Sequence, residues 1–248
     1  MSGSGDEMTF WDHLDVLRGT LFRSALAVLC TGVLLMCFKG FLFDDVILAP
    51  TKSGFWLYKW LGLPFSMSLI NTEISAQFFI HLKVSFTCGF VISFPYVCYE
   101  VWMFVAPALY PSEKSAVRKA FAFASALFYI GLLIGYYLIL PITLNFFQGY
   151  TVSDAVQNTI TLDSYISMFS SMALLFGIVF EFPVLIAVLN RMGIVTRDSL
   201  KKYRRHAIVA ILVVAAIITP ADPFSMLIAA APLYLLYELS VLVCVKKG

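Results

Sequence analysis

Runs without a single charged residue recur along the chain at 24–38, 84–99, 120–140, 164–180, 207–219 and 223–237. Apolar runs of this kind read as bilayer-crossing helices, because in lipid every backbone N–H and C=O has to be satisfied within its own segment. With their flanks they predict one all-α integral membrane domain over 1–248, with six transmembrane helices at 20–39, 76–104, 119–140, 163–189, 206–219 and 223–243. The segment 40–75 is then the largest external loop. Its Phe55, Trp56, Leu57, Tyr58 and Trp60 form an aromatic cluster suited to a membrane interface, so the loop is expected to lie as a cap on the outer surface. Pro95 predicts a bend in the second span, and Pro141 is expected to end the third. The run 207–219 reaches only about 20 Å, against about 30 Å of hydrocarbon. Either the bilayer is thinned there, or these helices line a concave face open to polar groups, or two short helices are simply propped against longer neighbours.

Basic residues fall on alternate loops. Arg18, Arg23, Lys114, Arg118, Lys119, Arg191, Arg197, Lys201, Lys202, Arg204, Arg205, Lys246 and Lys247 lie on one side, and only Lys39, Lys52 and Lys59 on the other. That asymmetry predicts cytoplasmic termini. The chain is 60% hydrophobic and 13% charged, with a mean hydropathy of +0.88. A single soluble core cannot hide that much apolar surface, so lipid is the expected solvent. The small net charge of +2 carries no implication of nucleic acid, because the basic residues lie on loops where they orient the chain and meet anionic lipid. Acidic residues Asp6, Glu7, Asp12 and Asp15 precede the first apolar run, which reads as a retained span. The five cysteines show no CxxC spacing, so neither a disulfide framework nor a metal site is predicted.

Charge inside a span is costly, by at least about 2.5 kcal/mol at mid-bilayer. His81, Lys83, Glu100, Glu181 and Glu238 therefore stand out, and Glu181 most of all, set in Phe180-Glu181-Phe182-Pro183. Pro183 would free a carbonyl one turn earlier and make a polar spot in the helix. The carboxyl there would bind a partner's polar group, take up a proton, or bond a neighbouring helix. Glu100 and Glu238 are expected near the cytoplasmic interface.

The segment Phe104-Val105-Ala106-Pro107-Ala108-Leu109-Tyr110-Pro111-Ser112-Glu113-Lys114 closely resembles a cytoplasmic loop of TatC, the polytopic subunit of the twin-arginine protein translocase. His13-Leu14-Asp15-Val16-Leu17-Arg18 resembles that family's amino-terminal motif, Leu48-Ala49-Pro50 its first external loop, Phe180-Glu181-Phe182-Pro183 its fourth span, and Thr219-Pro220-Ala221-Asp222 its last external turn. Pro232, Tyr234 and Glu238 fit its sixth span, and the resemblance covers roughly Phe10 to Val245.

The resemblance implies a glove-shaped, six-span receptor in the bacterial cytoplasmic membrane that recognises paired arginines in the signal peptides of folded cargo. Glu113 would bind signal-peptide arginine, Phe104 would shape the same site, and Arg18 would hold the amino-terminal motif. Two guanidinium groups call for carboxylate acceptors with bidentate geometry, which suits this role. One position departs from the pattern: the family's acid before the Leu-Arg pair is Val16 here, and Asp12 or Asp15 is expected to supply the second acidic contact. Glu181 would meet single-span TatA-type and TatB-type partner helices, while Pro50 and Asp222 would serve assembly or translocation. The implied complex contains more than one copy of the chain, is driven by the proton-motive force, and uses no nucleotide or other cofactor. Two other classes remain. A proton-coupled small-molecule carrier would show repeated halves, and an intramembrane hydrolase would need a paired nucleophile and base; neither pattern is visible.

Overall fold

The computed structural model describes residues 10–62, 65, 67–106, 111–153, 158–219 and 222–244. Helix α1 (Phe10–Met36) leads into a cap made of a π-helical turn at Phe41–Ile47, a 3-10 turn at Ala49–Thr51 and the short α2 (Trp56–Leu61). Helix α3 (Ala76–Val105) follows, with Pro95 inside it. Next come α4 (Pro111–Ile134), a second π-helical turn at Gly135–Ile139 and α5 (Leu140–Gly149). The chain continues with α6 (Leu162–Phe180), α7 (Phe182–Arg191), α8 (Arg197–Lys202), α9 (Arg204–Ile218) and α10 (Pro223–Val243). Among the described residues five helical stretches are long and apolar enough to cross a membrane: Leu14–Met36, Ala76–Val105, Phe121–Gly149, Leu162–Arg191 and Pro223–Leu242. The sixth apolar helix, α9, has 15 residues and spans about 22 Å. Large apolar side chains such as Leu21, Phe22, Leu26 and Leu29 point outward along α1, as lipid contact requires.

Pro141 does not end the third span. The π-helical turn just before it shifts the hydrogen-bond register, and Pro141 falls in the first turn of α5, where its missing N–H is tolerated. The fourth span behaves differently. Its helix stops at Phe180, Glu181 forms a turn whose N–H donates to the carbonyls of Ile178 and Val179, and α7 restarts with Pro183 in its first turn.

Lipid gives little hydrophobic reason for helices to associate, so contact rests on small residues and interhelical hydrogen bonds. A Cβ on Gly89 of α3 would lie 2.7 Å from the backbone nitrogen of Gly32 on α1 and 3.0 Å from the Val28 carbonyl. Around this crossing Thr31 Oγ1 donates to the Gly89 carbonyl at 3.1 Å, lies 2.8 Å from Ser93 Oγ, and Ser93 Oγ reaches the Ala27 carbonyl at 3.3 Å. Further along the same antiparallel pair, Arg23 donates to both oxygens of Glu100, through Nε at 3.0 Å and Nη2 at 2.8 Å. Tyr96 Oη, one turn earlier on α3, donates to Glu100 Oε1 at 2.7 Å. The Glu100 side chain is only 6% exposed, whereas that of Arg23 is 51% exposed. A second close approach joins α4 to α6. A Cβ on Gly131 would sit 2.6 Å from the Phe176 carbonyl, and one on Gly177 would sit 2.6 Å from the Phe128 ring. Phe128 in turn stacks on Phe94 of α3, with centroids 3.6 Å apart.

The cap is tied down through its backbone. Tyr58 Oη donates to the Pro50 carbonyl at 3.0 Å, Tyr136 Oη to the Val46 carbonyl at 2.7 Å, and Tyr165 Oη to the Ile47 carbonyl at 2.5 Å. Burial holds the Tyr58 phenol well above its usual titration range, so it stays a donor at any physiological pH. A two-residue parallel bridge pairs Leu69 with Ile160 and Ile70 with Thr161, linking the loop before α3 to the loop before α6.

Two outcomes follow for the α1–α3 crossing. Gly89→Leu should separate the helices and lower the unfolding temperature in detergent, by an overpacking cost of about 1–3 kcal/mol or more, while Gly40→Ala, with open space around it, should be neutral. Arg23→Ala strands a buried carboxylate and should lower that temperature too, and adding Glu100→Leu should recover most of the loss.

Candidate functional site

The antiparallel α1–α3 contact determines which end of the bundle gathers the motif residues. Arg23 stands opposite Glu100, and the crossing at Thr31 stands opposite Gly89. Carried one turn further, this register brings Phe104 level with the first turns of α1, which carry Asp15 and Arg18. Both Asp15 and Arg18 are exposed, Val16 is half-buried, and Phe104 is partly covered at the end of α3. The connection from α3 to α4 is short, and Glu113 is the third residue of α4. Asp12 and Glu113 belong to helices by backbone, but their side chains lie outside the described residues, as does the segment 107–110. Asp15, Arg18 and Phe104 therefore lie toward the same end of the α1–α3 pair, and α4 follows α3 from that end.

Behind this end sits the Arg23–Glu100–Tyr96 group. Glu100 lies four residues before Phe104 and so on the same helix face. Bidentate donation from Arg23, supported by Tyr96, fixes the last turn of α3 against α1. The same construction recurs between α9 and α10. Arg204 Nη2 donates to Glu238 Oε2 at 2.8 Å, and Tyr234 Oη, again one turn earlier, donates to Glu238 Oε1 at 3.0 Å. Tyr237 Oη donates to the Leu200 carbonyl of α8 at 2.5 Å. From sequence, Glu100 reads as an acid near an interface, and Glu238 as that and as a match to the family's sixth span. The repeated Tyr-x-x-x-Glu spacing is the signal that could have singled them out.

Glu181 is partly buried at the α6–α7 break, and its Oε1 is buried without a hydrogen-bond partner. Flanking residues Val179 and Phe182 line an apolar cavity of about 190 Å³ closed on its other sides by Ala207, Ile211, Leu233 and Tyr237. The groove formed by α6, α7, α9 and α10 is apolar throughout, and the Glu181 side chain is not part of its lining. Pro50 is buried, and its carbonyl is the acceptor for Tyr58. Asp222 caps α10, where its Oδ2 accepts from the Ser225 N–H at 2.6 Å ahead of Pro223 at the first helical position. That arrangement follows the usual preference for Asp before a Pro-initiated helix.

Comparison with known proteins fits this arrangement. The family model for the Sec-independent protein translocase protein TatC matches residues 12–232. A TatC from Blattabacterium sp. subsp. Periplaneta americana is 34% identical over 97% of this chain and 96% of its own length. The TatC of Escherichia coli K12 is also 34% identical, over 92% of this chain and 85% of its own. Two crystal structures of the twin-arginine translocase receptor TatC superpose with TM-scores of 0.76 and 0.79, at 32% and 31% identity, covering 93% and 94% of this chain and 97% and 99% of theirs. With the motif residues spaced through the whole matched region, the chain belongs to the TatC family of Sec-independent protein translocase proteins.

Proposed function

We propose that this TatC-family protein, a multi-pass protein of the cytoplasmic membrane, recognises the two arginines of a signal peptide with carboxylates at the end of the bundle where α1 begins and α3 ends. The observation that carries this reading is the α1–α3 register, which favours Asp15, Arg18 and Phe104 sharing one end, one short connection away from Glu113. Glu113 takes one guanidinium, Asp12 or Asp15 supplies the acid that Val16 lacks, Phe104 packs against the peptide, and Arg18 holds the amino-terminal segment. The Arg23–Glu100 pair keeps the two helices in register beneath the site. The chain reads as a single domain over 1–248, and the uneven distribution of Lys and Arg favours cytoplasmic termini and hence a cytoplasmic receptor end.

Single-span helices of the TatA and TatB type are the natural occupants of the groove beside Glu181. The buried Glu181 Oε1 lacks a hydrogen-bond partner, and a polar group on a partner helix would satisfy it. Short α9 favours a locally thinned bilayer, and the proton-motive force supplies the energy. Several copies of the chain act in one complex, with Pro50 and Asp222 on the outer side shaping its assembly through the turns they stabilise.

Photo-crosslinking of the membrane-embedded protein to an Arg-Arg signal peptide, with a Lys-Lys version as control, tests the site. Lysine keeps the charge but loses the planar fork. Crosslinks are expected near Glu113 and 12–18, and are expected to vanish with Lys-Lys. Glu113→Gln should lower labelling by about tenfold or more, the scale of one charge-assisted contact, whereas Val16→Glu should leave it unchanged or raise it. Equal labelling by both peptides, or by all variants, would overturn the assignment.

A further inference from the structure

At the opposite end of the bundle from the receptor site lies a cavity of about 340 Å³, within the range of small-ligand sites. It is lined by Asn71, Thr72 and Glu73 of the first external loop, by Phe79 and Lys83 of α3, and by Asp163 at the start of α6. Lys83 is the unusual member. It is a lysine seven residues inside a membrane-spanning helix, about 10 Å from its outer end. It is exposed, and its hydrogen-bond partner is the Ser167 hydroxyl at 2.9 Å. The ion pairs among the described residues are Arg23–Glu100 and Arg204–Glu238, so Lys83 has no carboxylate within 4.0 Å there. A helical side chain leans toward the amino end of its helix, which for α3 is the outer end, so the ammonium reaches toward headgroup depth.

The surroundings define what would neutralise it. Ile74, Phe78 and Phe79 stand strongly exposed beside the cavity, a surface for acyl chains rather than for water. Glu73 and Asp163 place two negative charges on the rim where Lys83 places one positive charge. A headgroup with net negative charge meets repulsion there, whereas a zwitterion with an anionic phosphate and a cationic amine finds a partner for each end. We infer that this cavity is a binding site for a phospholipid whose headgroup carries a primary ammonium, with the phosphate on Lys83 beside Ser167 and the ammonium donating to Glu73 and Asp163. A quaternary ammonium has no N–H to donate, so choline headgroups lack half of the contacts. This inference stands apart from the receptor reading, since none of its residues belongs to that site.

The full-length protein in detergent, offered phosphatidylethanolamine, phosphatidylcholine and phosphatidylglycerol with identical acyl chains, tests it by native mass spectrometry of retained lipid. Phosphatidylethanolamine should be retained about tenfold better than the other two, the equivalent of one charge-assisted contact. Lys83→Ala should bring it down to their level, Lys83→Arg should keep it, and Glu73→Gln with Asp163→Asn should erase the preference over phosphatidylglycerol. Equal retention of all three lipids by the unaltered protein, or undiminished phosphatidylethanolamine on Lys83→Ala, would overturn the site. Should Lys83→Ala fail to fold, the double carboxamide variant decides alone, because an unchanged preference there also refutes it.

Discussion

Everything in this bundle depends on α1 lying in direct backbone contact with α3. In water two such helices would be driven together by their apolar faces, but lipid tails are as apolar as the side chains and exert no such drive. What remains is closeness and polarity. Glycines at 32 and 89 let the backbones meet, and Thr31 and Ser93 use that nearness to bond across to Gly89 and Ala27. The end of the bundle that carries Asp15, Arg18 and Phe104 is a downstream product of this crossing, because its register decides which turns of α1 come level with Phe104.

Charge is then handled by local neutralisation. Arg23 with Glu100, and Arg204 with Glu238, each join neighbouring helices, and each carboxylate takes a further hydrogen bond from a tyrosine one turn earlier. A carboxylate held by both an arginine and a tyrosine is a fixed strut, whereas Glu181 keeps a buried oxygen without a hydrogen-bond partner. Lys83, toward the end of α3 away from Phe104, is exposed and stands outside the ion pairs of the described residues. Fixed and open charges therefore divide along the line between scaffold and contact surface.

Much of the fold was legible because lipid imposes it: the uncharged runs and the helices coincide, and the short run 207–219 became the short α9. What escaped depended on partners distant in sequence. Arg23 and Glu100 are separated by 77 positions, so neither shows its partner in a local window. Pro141 misled because a proline normally interrupts a helix, and the π-helical turn that accommodates it has no recognised sequence signature. Glu113 was legible through a motif alone, since a charged residue on a loop carries no physical distinction by itself.

The cap is secured by tyrosines of α2, α4–α5 and α6 that grip carbonyl oxygens at Val46, Ile47 and Pro50. Every residue type offers the same carbonyl. The gripped carbonyls place no demand on residue type, but Leu42, Ile47 and Pro50 are themselves buried, so variation that keeps the attachment is confined to the exposed positions of this stretch, Phe41, Asp44 and Asp45.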